Sequence, residues 1–540
     1  MNVENCDIVV IGAGSAGCAL AYRLAEQSNL RVVLLEAGSG ARNPMLHIPL
    51  GFAFLQKPHK NNWDEVTQAE PGLFNRRVAL PRGKVLGGCS AINGMVYVRG
   101  QAEDYQRWAE LGNEGWSYAD VLPYFKRSEN HAAGQNFYHG VKGPLHVAGI
   151  NTPFPICDDF IQAAADAGHA FNNDINGASQ GGVAWFPTNI KQGRRLSSAS
   201  AFLRAGKALT NLQVISDACT ERIVMKNNRA VGVVYRYRGQ QTQLNANVEV
   251  ILSAGAINSP KLLEVSGIGQ SQRLSQLGIE PLINLPGVGE NLHDHWNCYL
   301  VQSTQYGATY YHESKPIKLL HNMLRYIFKR QGFLANPAAL VSVFYEALDD
   351  ADRADAQIHF APAASEVDKR GNMVPIDGVT VAACGLRPTS RGCVHVTSRD
   401  MNAKPAIQVN YLTSDYDQQV AVAAFKKMRD IVQASAMNKL GGSELKPGKE
   451  VVTDDDILRY IKTTGEPVHH LVGSCKMGHD AMAVVDPRLR VHGVQGLRVA
   501  DASIMPEIIS GNTHAACVMI GEKCADMVLA DQYAQTKATS

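Results

Sequence analysis

The residues with the plainest chemical purpose form one short run, Gly12-Ala13-Gly14-Ser15-Ala16-Gly17, and one acid beyond it, Glu36. Glycines spaced this way let the chain turn tightly, let a pyrophosphate approach the backbone, and let a helix pack closely on a strand. Phosphate charge would sit at a helix N-terminus, where free N–H groups and the dipole favour an anion. Glu36 follows Gly17 by roughly 20 residues, the separation that suits a carboxylate to a ribose diol. Together these residues predict a dinucleotide site; which dinucleotide, and for what chemistry, they leave open. Histidine is the second resource, since its ordinary pKa near working pH suits general-base work. Of the seventeen, His293-Asp294-His295 and His469-His470 cluster, but neither group has a second ligand set at zinc spacing. No metal is expected, and His293 and His295 are expected to be structural.

These residues need particular elements to position them. The β-branched run 6–11 reads as a buried strand, residues 18–27 as a helix, and 31–35 as a second strand ending at Glu36. A second glycine-rich stretch, Gly83-Lys84-Val85-Leu86-Gly87-Gly88-Cys89-Ser90-Ala91-Ile92-Asn93-Gly94, must pass something closely. Strand candidates at 231–235 and 248–252 lead into Ser253-Ala254-Gly255 and a helix, a junction that fits a parallel sheet returning to the same nucleotide. Between about 302 and 465 the pattern changes. Helical stretches (316–330, 415–436, 454–462) alternate with strands (356–360, 379–386, 393–397), as in an inserted domain. A strand at 496–500 then ends at Asp501, and a helix over 515–530 closes the fold.

The chain of 540 residues exceeds the size of a single core, so more than one domain is expected. Its composition, 45% apolar and 19% charged, is that of an ordinary globular protein. A net charge of +2 gives no reason to expect nucleic acid as a partner. No window approaches a membrane-spanning length, and residues 1–5 lack the basic and apolar regions of a secretory signal. The expected location is the cytoplasm, with contact at the inner face of a membrane allowed. Eleven scattered cysteines without a CxxC pair read as buried hydrophobes in a reducing compartment.

Three further segments carry a family pattern: Gly83–Asn93; Gly255-Ala256-Ile257-Asn258-Ser259-Pro260 with its continuation to Gly269; and His470-Leu471-Val472-Gly473-Ser474-Cys475-Lys476-Met477-Gly478. Val499-Ala500-Asp501-Ala502-Ser503 and Gly511-Asn512-Thr513-His514 follow in order. With the first glycine turn, the sequence resembles the glucose–methanol–choline (GMC) oxidoreductases along its whole length. It is nearest in pattern to their choline dehydrogenase and FAD-dependent alcohol dehydrogenase branch.

The resemblance implies an α/β fold, α+β overall. A Rossmann-like FAD-binding domain (1–155, 190–301 and 466–540) would be joined by a substrate domain (156–189 and 302–465) with an antiparallel sheet and helices. It implies oxidation of a primary alcohol to an aldehyde, with hydride passing to flavin N5 and electrons to a quinone-like acceptor. His470 matches the family's base, and His514 its second active-site position. Gly12, Gly14, Ser15, Gly17, Glu36 and Ala37 match the ADP half of the FAD site. Gly87, Gly88, Ser90, Asn93 and Gly94 match the loop that passes the isoalloxazine and pyrophosphate. Asp501, Ala502, Asn512 and Thr513 match residues near the rest of the flavin. Some family oxidases attach FAD through a histidine two residues past the Gly-Gly-Cys-Ser run; Ile92 stands there, so FAD is expected to bind non-covalently. His469 and a phosphate role for Arg82 or Lys84 are left open. An oxygen-using oxidase, or a flavin-containing hydroxynitrile-type lyase, is compatible with the same residues. For the alcohol, Tyr310-Tyr311-His312-Glu313 offers a cage for a quaternary ammonium, whereas Phe333, Phe344, Phe360 and Trp296 offer an apolar pocket.

Overall fold

A strand buried on both faces needs an unbroken apolar run, and such runs pair in parallel sheets covered by helices. Ile8, Val9 and Val10 have no exposed surface, and all of Val32–Leu35 is buried. In the computed structural model, which describes residues 3–305, 307, 309–367 and 373–539, these runs lie at the centre of a seven-stranded sheet. Leu212–Ile215, Val32–Leu35, Val3–Ile11, Gln240–Leu252 and Leu497–Val499 run parallel, in that order. Arg229–Tyr237 and Ala218–Lys226 continue the sheet antiparallel from Gln240–Leu252. The helices Ser15–Gln27 and His514–Thr539 pack on each other against this sheet. Glu36, Ser253 and Asp501 therefore all emerge at the same carboxyl edge, where open parallel sheets bind their ligands.

The second large sheet is antiparallel. Its order is Glu444–Lys446, Trp296–Ser303, Gly378–Gly385, Ala356–Ala361, Val341–Tyr345 and Gly182–Trp185, with Glu466–Pro467 also on Trp296–Ser303. Trp296–Ser303 thus changes sheet ahead of the expected boundary at 301. Its alternating pattern buries Cys298 and Leu300 with the second core. Side chains alternate across each strand, and the register sets Tyr299 opposite Ala382 and Ala382 opposite His359. One face of the sheet is covered by Asp415–Gln433. Eight of the eleven cysteines are buried, as expected. Among the described residues no helix is long and apolar enough to cross a membrane.

Candidate active site

A cavity of about 540 Å³ lies between the two sheets. One end is walled by Gly12, Gly14, Ser15, Glu36 and Ala37; the middle by Gly88, Ser90, Asn93, Gly94, Asp501 and Ala502. The far end is walled by His470, Asn512, Thr513 and His514, facing the row Tyr299–Ala382–His359 of the antiparallel sheet. Gly17 and Gly87 do not line it. A Cβ on Gly17 would lie 2.0 Å from the Gly12 carbonyl oxygen, so Gly17 lets the helix start against the turn. Gly87 donates its N–H to the Ala13 carbonyl at 2.8 Å and ties the two glycine loops together.

Those loops meet backbone to backbone. Gly88, at φ +52°, would place a Cβ 2.8 Å from Gly14 Cα, and Gly12, at φ +101°, would place one 2.5 Å from the Ser253 oxygen. Both positions require glycine. The helix beginning at Ser15 has no side-chain cap and no acid in its first turn, which leaves its N-terminal N–H groups facing the cavity. Glu36 accepts from Ala13 N at 2.9 Å and Gly38 N at 2.8 Å. Burial raises its pKa to about 7, against the pull of those two N–H groups. Asp501 accepts from Gly255 N, Ser259 Oγ and Ser503 N at 2.8, 2.6 and 2.8 Å, which pins the carboxyl edge of the sheet to the next helix. Asn93 is held by Arg195, whose Nη1 donates to its Oδ1 at 2.8 Å. Burial lowers Arg195 to about 9.

The histidine end is held by an acid that the sequence reading passed over. Asp294 Oδ1 accepts from the backbone N–H groups of His295 (2.9 Å) and His470 (2.5 Å), while Oδ2 accepts from Tyr411 Oη (2.8 Å). His469, just before, is at φ +65°, a left-handed conformation costing about 1–2 kcal/mol for a residue with a Cβ. Arg82 Nη2 donates to the His469 carbonyl at 2.8 Å and helps to hold that turn. Arg82 therefore has a positioning contact, and Lys84 lies over the Trp63 ring, 4.3 Å from its centroid, rather than in the cavity.

The bonds of His470 fix its tautomer. His295 Nε2 faces the Leu386 carbonyl at 2.9 Å, so that nitrogen carries the proton and donates. Burial lowers His295 to about 4, leaving it neutral near pH 7 with a lone pair on Nδ1. His470 Nδ1, 3.0 Å away, must then donate to it. The lone pair of His470 is left on Nε2, where Asn512 Nδ2 donates to it at 3.1 Å. Burial, with His295, His359, His469 and Arg82 adding to it, holds His470 well below its ordinary range.

Two expectations about this end change. The partner of His470 is Asn512, not His514. Residues 512 and 514 leave the same turn at a helix start on different sides, and His514 Nδ1 instead meets Ser15 Oγ at 3.0 Å. Among the described residues its buried Nε2 has no partner, and it lies beside the cavity. His295, expected to be purely structural, bonds directly to His470, while His293 meets only the Asn291 carbonyl at 2.6 Å. Neither substrate pocket suggested by sequence lines the cavity. Tyr310 packs on Phe154 and Phe333, and His312 bonds Asp377, away from it. Phe333, Phe360 and Trp296 belong to the second core and Phe344 to a smaller one.

Two models of the GMC oxidoreductase family match this chain, over residues 6–297 and 388–521. The chain belongs to the GMC oxidoreductase family. It is 39% identical to an alcohol dehydrogenase (acceptor) of Pseudomonas putida over 97% of this chain and 95% of that protein. An oxygen-dependent choline dehydrogenase of Rhizobium meliloti is 39% identical over 97% and 96% of the two chains. Among solved structures, pyridoxine 4-oxidase from Mesorbium loti superposes with a TM-score of 0.87 at 29% identity, covering 97% of this chain and 99% of that one. This GMC oxidoreductase is thus an enzyme acting on the CH–OH group of alcohols. The family binds FAD, and the cavity fits that group. It offers a buried carboxylate at a strand end for a ribose, an uncapped helix N-terminus for the pyrophosphate, and a wall of bare glycine backbone at Gly12, Gly14 and Gly88 between them.

Proposed function

We propose that this GMC oxidoreductase oxidises a primary alcohol to an aldehyde and passes the electrons to a quinone-like acceptor. The observation that carries this reading is the bonded series Leu386–His295–His470–Asn512, which turns a lone pair on His470 Nε2 toward the cavity beside an N–H donor. FAD, held non-covalently, supplies the hydride acceptor. When a substrate hydroxyl displaces the Asn512 N–H from His470 Nε2, that nitrogen accepts the hydroxyl proton, and the Asn512 Nδ2–H turns to the alcohol oxygen and stabilises the negative charge developing there. His359 and Tyr299 face the same space from the antiparallel sheet and shape what enters. The segments 1–155, 190–295 and 466–540 are proposed to hold FAD, and the remainder, including Trp296–Ser303, to form the substrate side.

The test is anaerobic mixing of the flavin-loaded enzyme with primary aliphatic, aromatic and choline-like alcohols. Bleaching of the flavin band with matching aldehyde is expected for at least one class. No bleaching with any of them would favour a redox-neutral lyase. In air, turnover with a quinone or dye should far exceed hydrogen peroxide release; peroxide at the rate of turnover would make the enzyme an oxidase.

A further inference from the structure

The helix Pro316–Lys329 is built the wrong way round for a helix packed on a protein core. Ile317, Leu320, Ile327 and Phe328 are 88%, 60%, 54% and 80% exposed, and Leu324 is exposed between them. Their spacing follows a helical period, so they form one outward apolar face. The inward face holds Leu319, half-buried against the second core, beside two bonded polar groups: Asn322 Nδ2 donates to the Glu313 carbonyl at 3.2 Å, and Tyr326 Oη donates to the Gly193 carbonyl at 3.1 Å. Lys318, Arg325 and Lys329 line one flank of the apolar face, Lys315 and Arg330 stand at the two ends of the helix, and Glu313 is the one acid in the stretch 313–330. That gives the stretch a net +4 within a chain of net +2.

We propose that this helix docks the protein on an anionic phospholipid bilayer, its apolar face in the acyl boundary and its basic rim among the headgroups. An outward apolar face flanked by lysine and arginine is the pattern that lies in the plane of a membrane interface. Charge decides the occupant. A second copy laid face to face would bring two basic rims together, whereas anionic headgroups neutralise one. The position also suits the chemistry. The helix packs on Phe333–Ala335, which packs on Pro49–Gly51. The next short helix exposes Phe54 (65%) while its Phe52 lines the cavity. Docking would hold this wall of the cavity near the bilayer, where lipophilic acceptors dissolve. The docking itself does not depend on the acceptor assignment, because it is read without turnover.

The experiment is flotation of the FAD-loaded protein with vesicles of phosphatidylcholine alone or mixed with phosphatidylglycerol. Binding to the anionic vesicles is expected, falling as salt rises. An I317S/F328S variant should bind on the order of tenfold or more weakly, and Arg325→Glu should weaken binding by about fivefold or more. Melting temperature and dye-linked turnover should stay those of the parent. Equal binding to both vesicle types, absent binding, or unchanged binding by the variants would overturn the proposal. So would a dimer in vesicle-free solution that I317S/F328S converts to monomer, which would assign the face to a second copy.

Discussion

Nδ1 of His295 lies 3.0 Å from Nδ1 of His470, and only one of the two can carry the proton between them. The Leu386 carbonyl settles which, because it can only accept and so takes the His295 Nε2–H. His295 is therefore a positioning residue that keeps the His470 lone pair on Nε2. Replacing His295 by Leu frees the wrong tautomer, and kcat should fall by roughly 10–100-fold with little change in KM. His295→Asn offers an acceptor oxygen near the position of Nδ1 and should recover most of the loss. A KM rise equal to the kcat loss, or no recovery with Asn, would reduce His295 to packing.

The pH dependence follows from the same burial. Neutral His470 is the active form, so activity is lost as it takes up a proton. Its pKa is held well below the ordinary 6.5, first by desolvation and then by the surrounding histidines and Arg82. The sign is that the plateau extends down through pH 6.5 and the acid limb lies below it. The check is the rate of flavin reduction by alcohol across the acid range; a limb centred at or above neutrality would exclude His470 as the base.

Asn512 and His514 sit in one turn but face different work. Asn512→Ala should cost roughly 10²–10³-fold in kcat, the scale for losing a donor to a developing oxyanion, with FAD retained. His514, bonded to Ser15 of the first glycine turn, should act through the cofactor instead. His514→Ala should release FAD more readily, read as the rise in flavin fluorescence on dilution, while the chemical step changes less. The reverse pattern would return His514 to the reaction.

Ile92 lines the cavity where a covalent attachment would need a nucleophile. Acid precipitation should therefore leave the flavin in the supernatant. A yellow pellet would show a bond from some other side chain.

How much of this was legible in the sequence depends on range. The glycine turn, its helix and Glu36 are consecutive, and the periods of strand and helix place them without tertiary information. His359 also leaves a trace, as a polar residue between Ile358 and Phe360 on an alternating strand. The contact between His295 and His470 spans 175 residues and leaves no local signal. Choosing between Asn512 and His514 needed the angle at which a turn enters its helix, which residue types do not encode. The aromatic run at Tyr310 misled for a related reason: the same rings serve a core or a cage, and here Tyr310 fills core between Phe154 and Phe333.

Away from the cavity, His395 ties stability to alkaline pH. Its Nδ1 lies 2.8 Å from Glu264 Oε1 and its Nε2 3.0 Å from Glu290 Oε1, so the doubly protonated ring can donate to both carboxylates. Burial opposes the charge, but bonds to Cys393, Glu264 and Glu290 outweigh it and raise the pKa to about 10. A folded-state pKa above the unfolded value stabilises fully below the unfolded pKa and is lost as pH rises through the folded one. The loss should therefore fall mainly between the ordinary histidine range and pH about 10. His395→Gln keeps the hydrogen-bonding capacity without the titration. Thermal melts should show the parent losing more stability than this variant across that alkaline window, with turnover at neutral pH similar in the two. Parallel melting curves at every pH would remove His395 from the account.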